Sequence, residues 1–146
     1  MAQYQYFGIE NVIIQPFFED MESLLDKADL FIGRGGSCTI FEAIESCTPS
    51  ILIPAAKAKD DHQFHNVMFF VSEGACSIVR ENGSNESDNA EIQTKLHKAI
   101  EELLYNDFSR INMIANMKKF QNVGDSLHRC IKLIYLELAN DYSEMC

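Results

Sequence analysis

Between Ala28 and Pro54 the chain reads A-D-L-F-I-G-R-G-G-S-C-T-I-F-E-A-I-E-S-C-T-P-S-I-L-I-P. A short apolar run stops at glycines, a stretch of helical length follows, and a second apolar run closes at a proline. Two strands joined through a helix pair parallel rather than as a hairpin. This one segment therefore commits the chain to an α/β fold. It also places a Gly-Gly-Ser turn between a strand end and a helix start. The amides and dipole of a helix N-terminus hold phosphate, and an early carboxylate can accept from ribose hydroxyls, so the arrangement suits a nucleotide diphosphate.

The rest of the chain continues the alternation. Val12–Phe17 reads as a β-rich run. Met21, Leu24, Leu25 and Ala28 give a helix an apolar face at a 3.6-residue period. Leu30–Ile32 is a strand closed by Gly33, Thr39–Cys47 a helix, and Ser50–Ile53 a strand. His62–Glu73 reads as a helix with Phe64, Val67, Met68 and Val71 inward, stopped by Gly74. Cys76–Val79 is a further strand. Glu81–Asn89 is polar and turn-rich, which predicts a surface loop. Three helices follow: Ile92–Tyr105 with Ile92, Leu96, Ala99, Ile100 and Leu103 inward, Phe108–Phe120 with Ile111, Ile114, Ala115 and Met117 or Lys118, and Asp125–Ala139. The expected organisation is a Rossmann-like parallel sheet flanked by helices over about residues 10–80, with a helical part over about 90–140.

Five groups of residues stand out as candidates to weigh. Gly35, Gly36 and Ser37 form the turn, where glycine permits positive φ and close approach of a ligand. The pattern is neither G-x-G-x-x-G nor a Walker loop, since no Gly-Lys-Ser/Thr follows. Thr39 and Glu42 stand three apart at the helix start and make a capping box in the ordinary reading. In the functional reading Glu42 accepts from both hydroxyls of a vicinal diol. Gln63 follows the third strand, Ser50–Ile53, and its amide can donate to and accept from a sugar hydroxyl; Asp60 or Asp61 is expected to cap the helix there. Cys38 lies at the helix N-terminus, but no base is paired with it in sequence, so no catalytic cysteine is expected. His62 and His65 lack a third ligand nearby, so no metal is expected.

With 22 acidic and 12 basic residues the net charge is -10, which argues against nucleic acid and against docking on anionic lipid by this chain alone. Five scattered cysteines without a C-x-x-C pair fit reduced thiols in a cytoplasmic protein. No apolar run is long enough to span a bilayer, and Met1–Tyr6 does not resemble a signal peptide.

Taken together, P-F-F-E-D-M at Pro16–Met21, A-D-L-F-I-G-R-G-G-S at Ala28–Ser37, T-I-F-E-A at Thr39–Ala43, P-S-I-L-I-P at Pro49–Pro54 and D-H-Q-F-H-N at Asp61–Asn66 resemble the C-terminal part of the bacterial transferases that form lipid II. Those enzymes move N-acetylglucosamine from UDP-N-acetylglucosamine to lipid I. The resemblance runs from about Val12 to the last helix. It implies the partial donor-binding domain of a GT-B fold, residues 1–146, with no cofactor. By position, the Phe18 main chain would meet the uracil. Gly36, Ser37, Cys38, Thr39, Ile40 and Phe41 would hold the diphosphate and neighbouring groups. Glu42 would take the ribose hydroxyls and Gln63 the sugar, with Arg34 matching beside them.

Cys47-Thr48 stands where the family has a small-glycine turn, and Ala55–Lys59 is slightly longer. The acceptor-binding domain, a second glycine-rich loop, the expected general base and the membrane-docking patch belong to the family's other half, so lipid I and the inner membrane's cytoplasmic face would be reached only through that half or a partner chain. Two other readings stand beside this one. The glycine turn, the helix glutamate and the H-Q pair also resemble the catalytic subunit of the two-component dolichol-linked N-acetylglucosamine transferase, although Arg34, Asp61 and Asn66 favour the bacterial family. A non-catalytic remnant, with sheet edge and core exposed, is the third.

Overall fold

The computed structural model describes residues 13–56, 61–81 and 86–121. In chain order the elements are α1 (Met21–Leu25), β1 (Phe31–Gly33), α2 (Ser37–Glu45), β2 (Ser50–Leu52), α3 (His62–Ser72), β3 (Ser77–Ile78), α4 (Glu86–Tyr105) and α5 (Asp107–Met117). The sheet is parallel in the order β1-β2-β3, with Ile32 opposite Ile51 and Leu52 opposite Ile78. The central strand is the driest: Ser50, Ile51 and Leu52 are all buried. A strand covered on both faces reads as a continuous apolar run, as S-I-L-I does.

The core gathers around that strand. Ile40 and Ile44 from α2, Val67 and Phe70 from α3, Val79, Leu103 from α4, and Met113 and Met117 from α5 form one cluster with Ile51 and Leu52. Ile92, Leu96, Ala99 and Ile100 pack against it, so the expected inner face of α4 is the observed one. Each fully buried aliphatic side chain here stabilises the fold by about 1.5–3 kcal/mol.

Helices α2 and α3 end alike. After α2, the Cys47 N–H donates to the Ile44 carbonyl and the Thr48 N–H to the Ala43 carbonyl, both at 3.0 Å. After α3, Gly74 and Ala75 donate in the same pattern to Val71 and Phe70, both at 2.9 Å. This is the Schellman arrangement, whose pivot residue is left-handed. Gly74 has φ 67, and Cys47, standing where the resembled family keeps glycine, has φ 52.

Several expectations are corrected. Residues 13–17 form no strand: Ile13 and Phe17 are about three-quarters exposed at 76% and 75%, and β-prone residues without a ladder partner stay irregular. Helix α2 starts at Ser37, not Thr39, with Gly36 as its N-cap, so no Thr39–Glu42 capping box forms and Glu42 falls in the second turn. Among the described glycines only Gly74 has positive φ. Gly36 sits at φ -69, ψ 143, and the Gly-Gly turn is made without left-handed backbone. Asp61 is the N-cap of α3 in a left-handed conformation and makes no side-chain cap bond. On α3 the buried pair is Val67 and Phe70, while Met68 is exposed. The expected loop 81–89 is shorter, because α4 starts at Glu86. On α5 Met113 and Met117 are buried and Ile111 is 62% exposed. The expected helix Asp125–Ala139 lies outside the described residues. No described helix is long and apolar enough to cross a membrane.

Candidate functional site

The carboxyl ends of parallel strands and the helix starts that follow them are where open α/β sheets take ligands. Here that edge carries Arg34 after β1, Ile53–Ala56 after β2, and Arg80 and Glu81 after β3.

The turn between β1 and α2 is shaped by two glycines with different reasons. A Cβ on Gly35 would stand 2.6 Å from Val67 Cγ2 and 2.9 Å from the Gln63 carbonyl oxygen, so only glycine lets the turn lie against α3. A Cβ on Gly36 would meet nothing nearer than Thr39 Oγ1 at 3.8 Å. The protein itself does not need glycine there, and the space above the helix start is open. Gly36 provides no side-chain cap, and the first turn of α2 has no acid. The first intrahelical bond of this end runs from the Ile40 N–H to the Gly36 carbonyl at 3.0 Å. The amides of Ser37, Cys38 and Thr39 precede it and face outward at an uncompensated positive end. Ser37 and Cys38 are exposed and Thr39 half-buried. Ile40 is 2% exposed and belongs to the core, with its amide already donating.

Glu42 is exposed and lies one turn beyond Cys38 on the same face of α2. At 1.5 Å rise per residue it stands ~7.5 Å along the axis from the level of Ser37. Together with Phe41 it lines a cleft of about 510 Å³ whose other lining residues are Glu22, Leu25, Asp26, Glu45 and Ser46. The cleft therefore runs between α1 and α2. Phe18 is half-buried on the chain leading into α1, two residues before Asp20, whose carboxylate caps that helix by accepting from the Ser23 N–H at 2.9 Å. Phe41 is 44% exposed and meets Phe70 edge-on at 5.9 Å. Four carboxylates around one cleft repel phosphate and suit neutral hydroxyls and a base. The cleft and the helix start thus differ in chemistry, the one ringed by acids and the other presenting amides and the positive end of a helix dipole.

Gln63 sits at the start of α3 with its Oε1 accepting from the Ala55 N–H at 3.0 Å. The expectation that this amide faces a ligand with both its groups is thereby narrowed, since its oxygen is already engaged by Ala55 and Nε2 is the group left to donate. Arg34 Nη1 donates to the Ile53 carbonyl at 3.2 Å and to Glu81 Oε1 at 2.6 Å. The other Glu81 oxygen accepts from the Ala56 N–H at 3.3 Å. The hydrogen bond from Arg34 holds the Glu81 carboxyl below the usual range, against a smaller opposing push from burial. Next to it Arg80 lies over the Phe64 ring at 4.2 Å and 3.8 Å from Asp61. Glu81 and Arg80 escaped the sequence reading. The signal that finds them is position alone, immediately after a parallel strand.

Cys38, Cys47 and Cys76 are free thiols. Burial raises the Cys76 thiol to about 12, and burial also raises Cys47. Among the described residues no group of three or more His, Cys, Asp or Glu is placed to hold a metal.

The model of the glycosyltransferase family 28 C-terminal domain matches residues 1–127. The chain belongs to this family. It is 43% identical over 72 residues to the UDP-N-acetylglucosamine–N-acetylmuramyl-(pentapeptide) pyrophosphoryl-undecaprenol N-acetylglucosamine transferase of Microcystis aeruginosa, covering 49% of this chain and 20% of the relative. With the Xanthomonas axonopodis transferase of the same name it shares 29% identity over 144 residues, covering 99% of this chain and 32% of the relative. The crystal structure of Acinetobacter baumannii MurG matches with a TM-score of 0.55 and 26% identity, covering 72% of this chain and 29% of that one. The chain spans about a third or less of the length of the curated relatives it matches. As family 28 C-terminal domain, it has the parallel, helix-flanked sheet of MurG's Rossmann-like half.

Proposed function

We propose that this chain is the donor-nucleotide half of an inverting N-acetylglucosaminyltransferase that converts lipid I to lipid II. UDP-N-acetylglucosamine would lay its diphosphate over the amides of Ser37, Cys38 and Thr39, its ribose diol on Glu42 and its base beyond the ribose, toward the Phe18 main chain. Gln63 Nε2 would donate to the sugar. The observation that carries this reading is the open start of α2, which lacks both a cap and an acid and stands about a turn and a half from an exposed carboxylate. The roughly 7.5 Å between them is of the order that separates the diphosphate and ribose hydroxyls of one nucleotide.

The chemistry follows from that pose. The acceptor 4-hydroxyl attacks the anomeric carbon, the bond to the diphosphate oxygen breaks, and UDP leaves with its new negative charge facing the helix amides. Donors aimed at developing charge are the main electrostatic lever available to such a site. The base that takes the hydroxyl proton, the lipid I site and the contact with the cytoplasmic face of the inner membrane belong to the other half of the enzyme. This chain alone is therefore expected not to turn over.

A melting experiment tests the donor site. UDP-N-acetylglucosamine must raise the midpoint if it binds only the folded chain. Glu42→Ala should remove that rise, with binding weakened about 30-fold or more for the loss of a charged hydrogen-bond pair. The ligand-free midpoint should hardly move, because Glu42 makes no capping box whose loss would confuse the result. A wild-type chain indifferent to the sugar nucleotide, or a Glu42→Ala chain that keeps the full rise, ends this reading.

A further inference from the structure

The segment after the central strand is held by side chains from three separate places. Arg34, following β1, donates to the Ile53 carbonyl. Gln63, on α3, accepts from the Ala55 N–H. Glu81, following β3, accepts from the Ala56 N–H with one oxygen and from Arg34 with the other. Arg34 and Glu81 each touch both the segment and one another, whereas Gln63 touches the segment alone. Through Ala56, Glu81 fixes the peptide next to the one that Gln63 reads. Through Arg34 it fixes the guanidinium that holds Ile53, two residues before Ala55. Each outer strand thus sends one residue to pin the segment that leaves the central strand.

From this we propose that Glu81 is a positioning residue for sugar recognition: it braces residues 53–56 so that the Ala55 N–H meets Gln63 Oε1 and the Gln63 Nε2 donor is presented to the transferred sugar. The proposal rests on the donor-site reading above and deepens it. Without the Glu81 carboxylate, Ala56 loses its acceptor and Arg34 its anchor. The Gln63 amide then has no fixed partner to choose which end faces outward. The diphosphate and ribose contacts on α2 involve none of these groups, so the defect falls on the sugar and not on the nucleotide.

The test is calorimetric binding of two probes, UDP and UDP-N-acetylglucosamine, to the purified chain. Glu81→Ala should weaken UDP-N-acetylglucosamine about tenfold, the size of one well-made hydrogen bond, and leave UDP within about twofold. Glu81→Gln keeps one acceptor oxygen and should recover part of the loss. Gln63→Ala should give the same sugar-selective defect, and adding Glu81→Ala to it should weaken binding no further, since the two act through one contact. Equal weakening of both probes would make Glu81 a merely structural residue and overturn the proposal. So would unchanged binding of both, or additive losses in the double variant. Should the wild-type chain bind neither probe, it is the donor-site reading that fails, a result distinct from all of these.

Discussion

Helices α5 and α2 meet the same difficulty at their first turn and resolve it in opposite ways. At α5 the Asn106 side chain accepts from the Ser109 N–H at 3.3 Å, and Asp107 adds a negative charge in the first turn. At α1 Asp20 caps and Glu22 supplies the charge. At α2 a glycine stands in the capping position, no side chain among the described residues caps the amides and no acid lies in the first turn. Yet α2 is the helix most deeply built into the core, with Ile40, Ala43 and Ile44 all buried. Its tertiary packing makes an internal cap dispensable, and the positive end remains for a partner from outside. The lesson is that a helix held by its sides can leave its end for function, whereas a peripheral one must satisfy its own amides.

Exchanging the two solutions should break the contrast. Gly36→Asp installs a carboxylate where the diphosphate would sit, and the backbone there (φ -69, ψ 143) accepts a side chain that meets only open space. UDP affinity should fall at least tenfold while the ligand-free chain gains about 0.5–1 kcal/mol from capping and dipole. Calorimetry and a denaturant melt would read the two opposite effects, and a gain in both would show that the helix end does not serve a phosphate. The reciprocal change, Asn106→Ala, should lose about 1 kcal/mol of stability and leave UDP affinity untouched. The other ends of the helices sharpen the comparison at the smallest scale. Cys47→Gly should stabilise by about 0.5 kcal/mol, because relief of left-handed strain is partly offset by the freer unfolded chain and by lost packing. A melt showing destabilisation would mean that the Cys47 side chain is worth more than its backbone strain.

Much of the fold was legible where apolar residues stood in plain runs or rows. The apolar runs at Phe31–Gly33 and Ser50–Leu52 and the face of α4 from Ile92 to Leu103 fall where expected. The misses share a cause. At Phe108–Met117 apolar residues occupy more than one face, so pattern alone does not choose the row Met113–Met117 that reaches the core. At 86–89 the polar residues resemble a turn, but the helix that carries Ile92 and Leu96 on its inner face extends backward through them. The strand expected at Val12–Phe17 had the right residue types and no neighbour to pair with among the described residues. For the candidate site, the glycine turn and Glu42 were visible as residue types at a strand–helix junction. The capping box was not real, because the helix begins two residues earlier than Thr39. Glu81 was invisible for a different reason: its partners Arg34 and Ala56 are remote in sequence, and only the sheet brings them together.

Gly35 has a mechanical consequence. Backbone from the α2 turn and backbone from α3 come within a side chain's thickness of each other there. Such a contact has no compliant layer to absorb sliding, so the peptide that precedes Ser37 and the peptide that carries Gln63 must shift together or not at all. In the proposed donor site, the grip on the two ends of a sugar nucleotide would be set by one stiff joint. Any opening and closing of such a site would have to be hinged elsewhere.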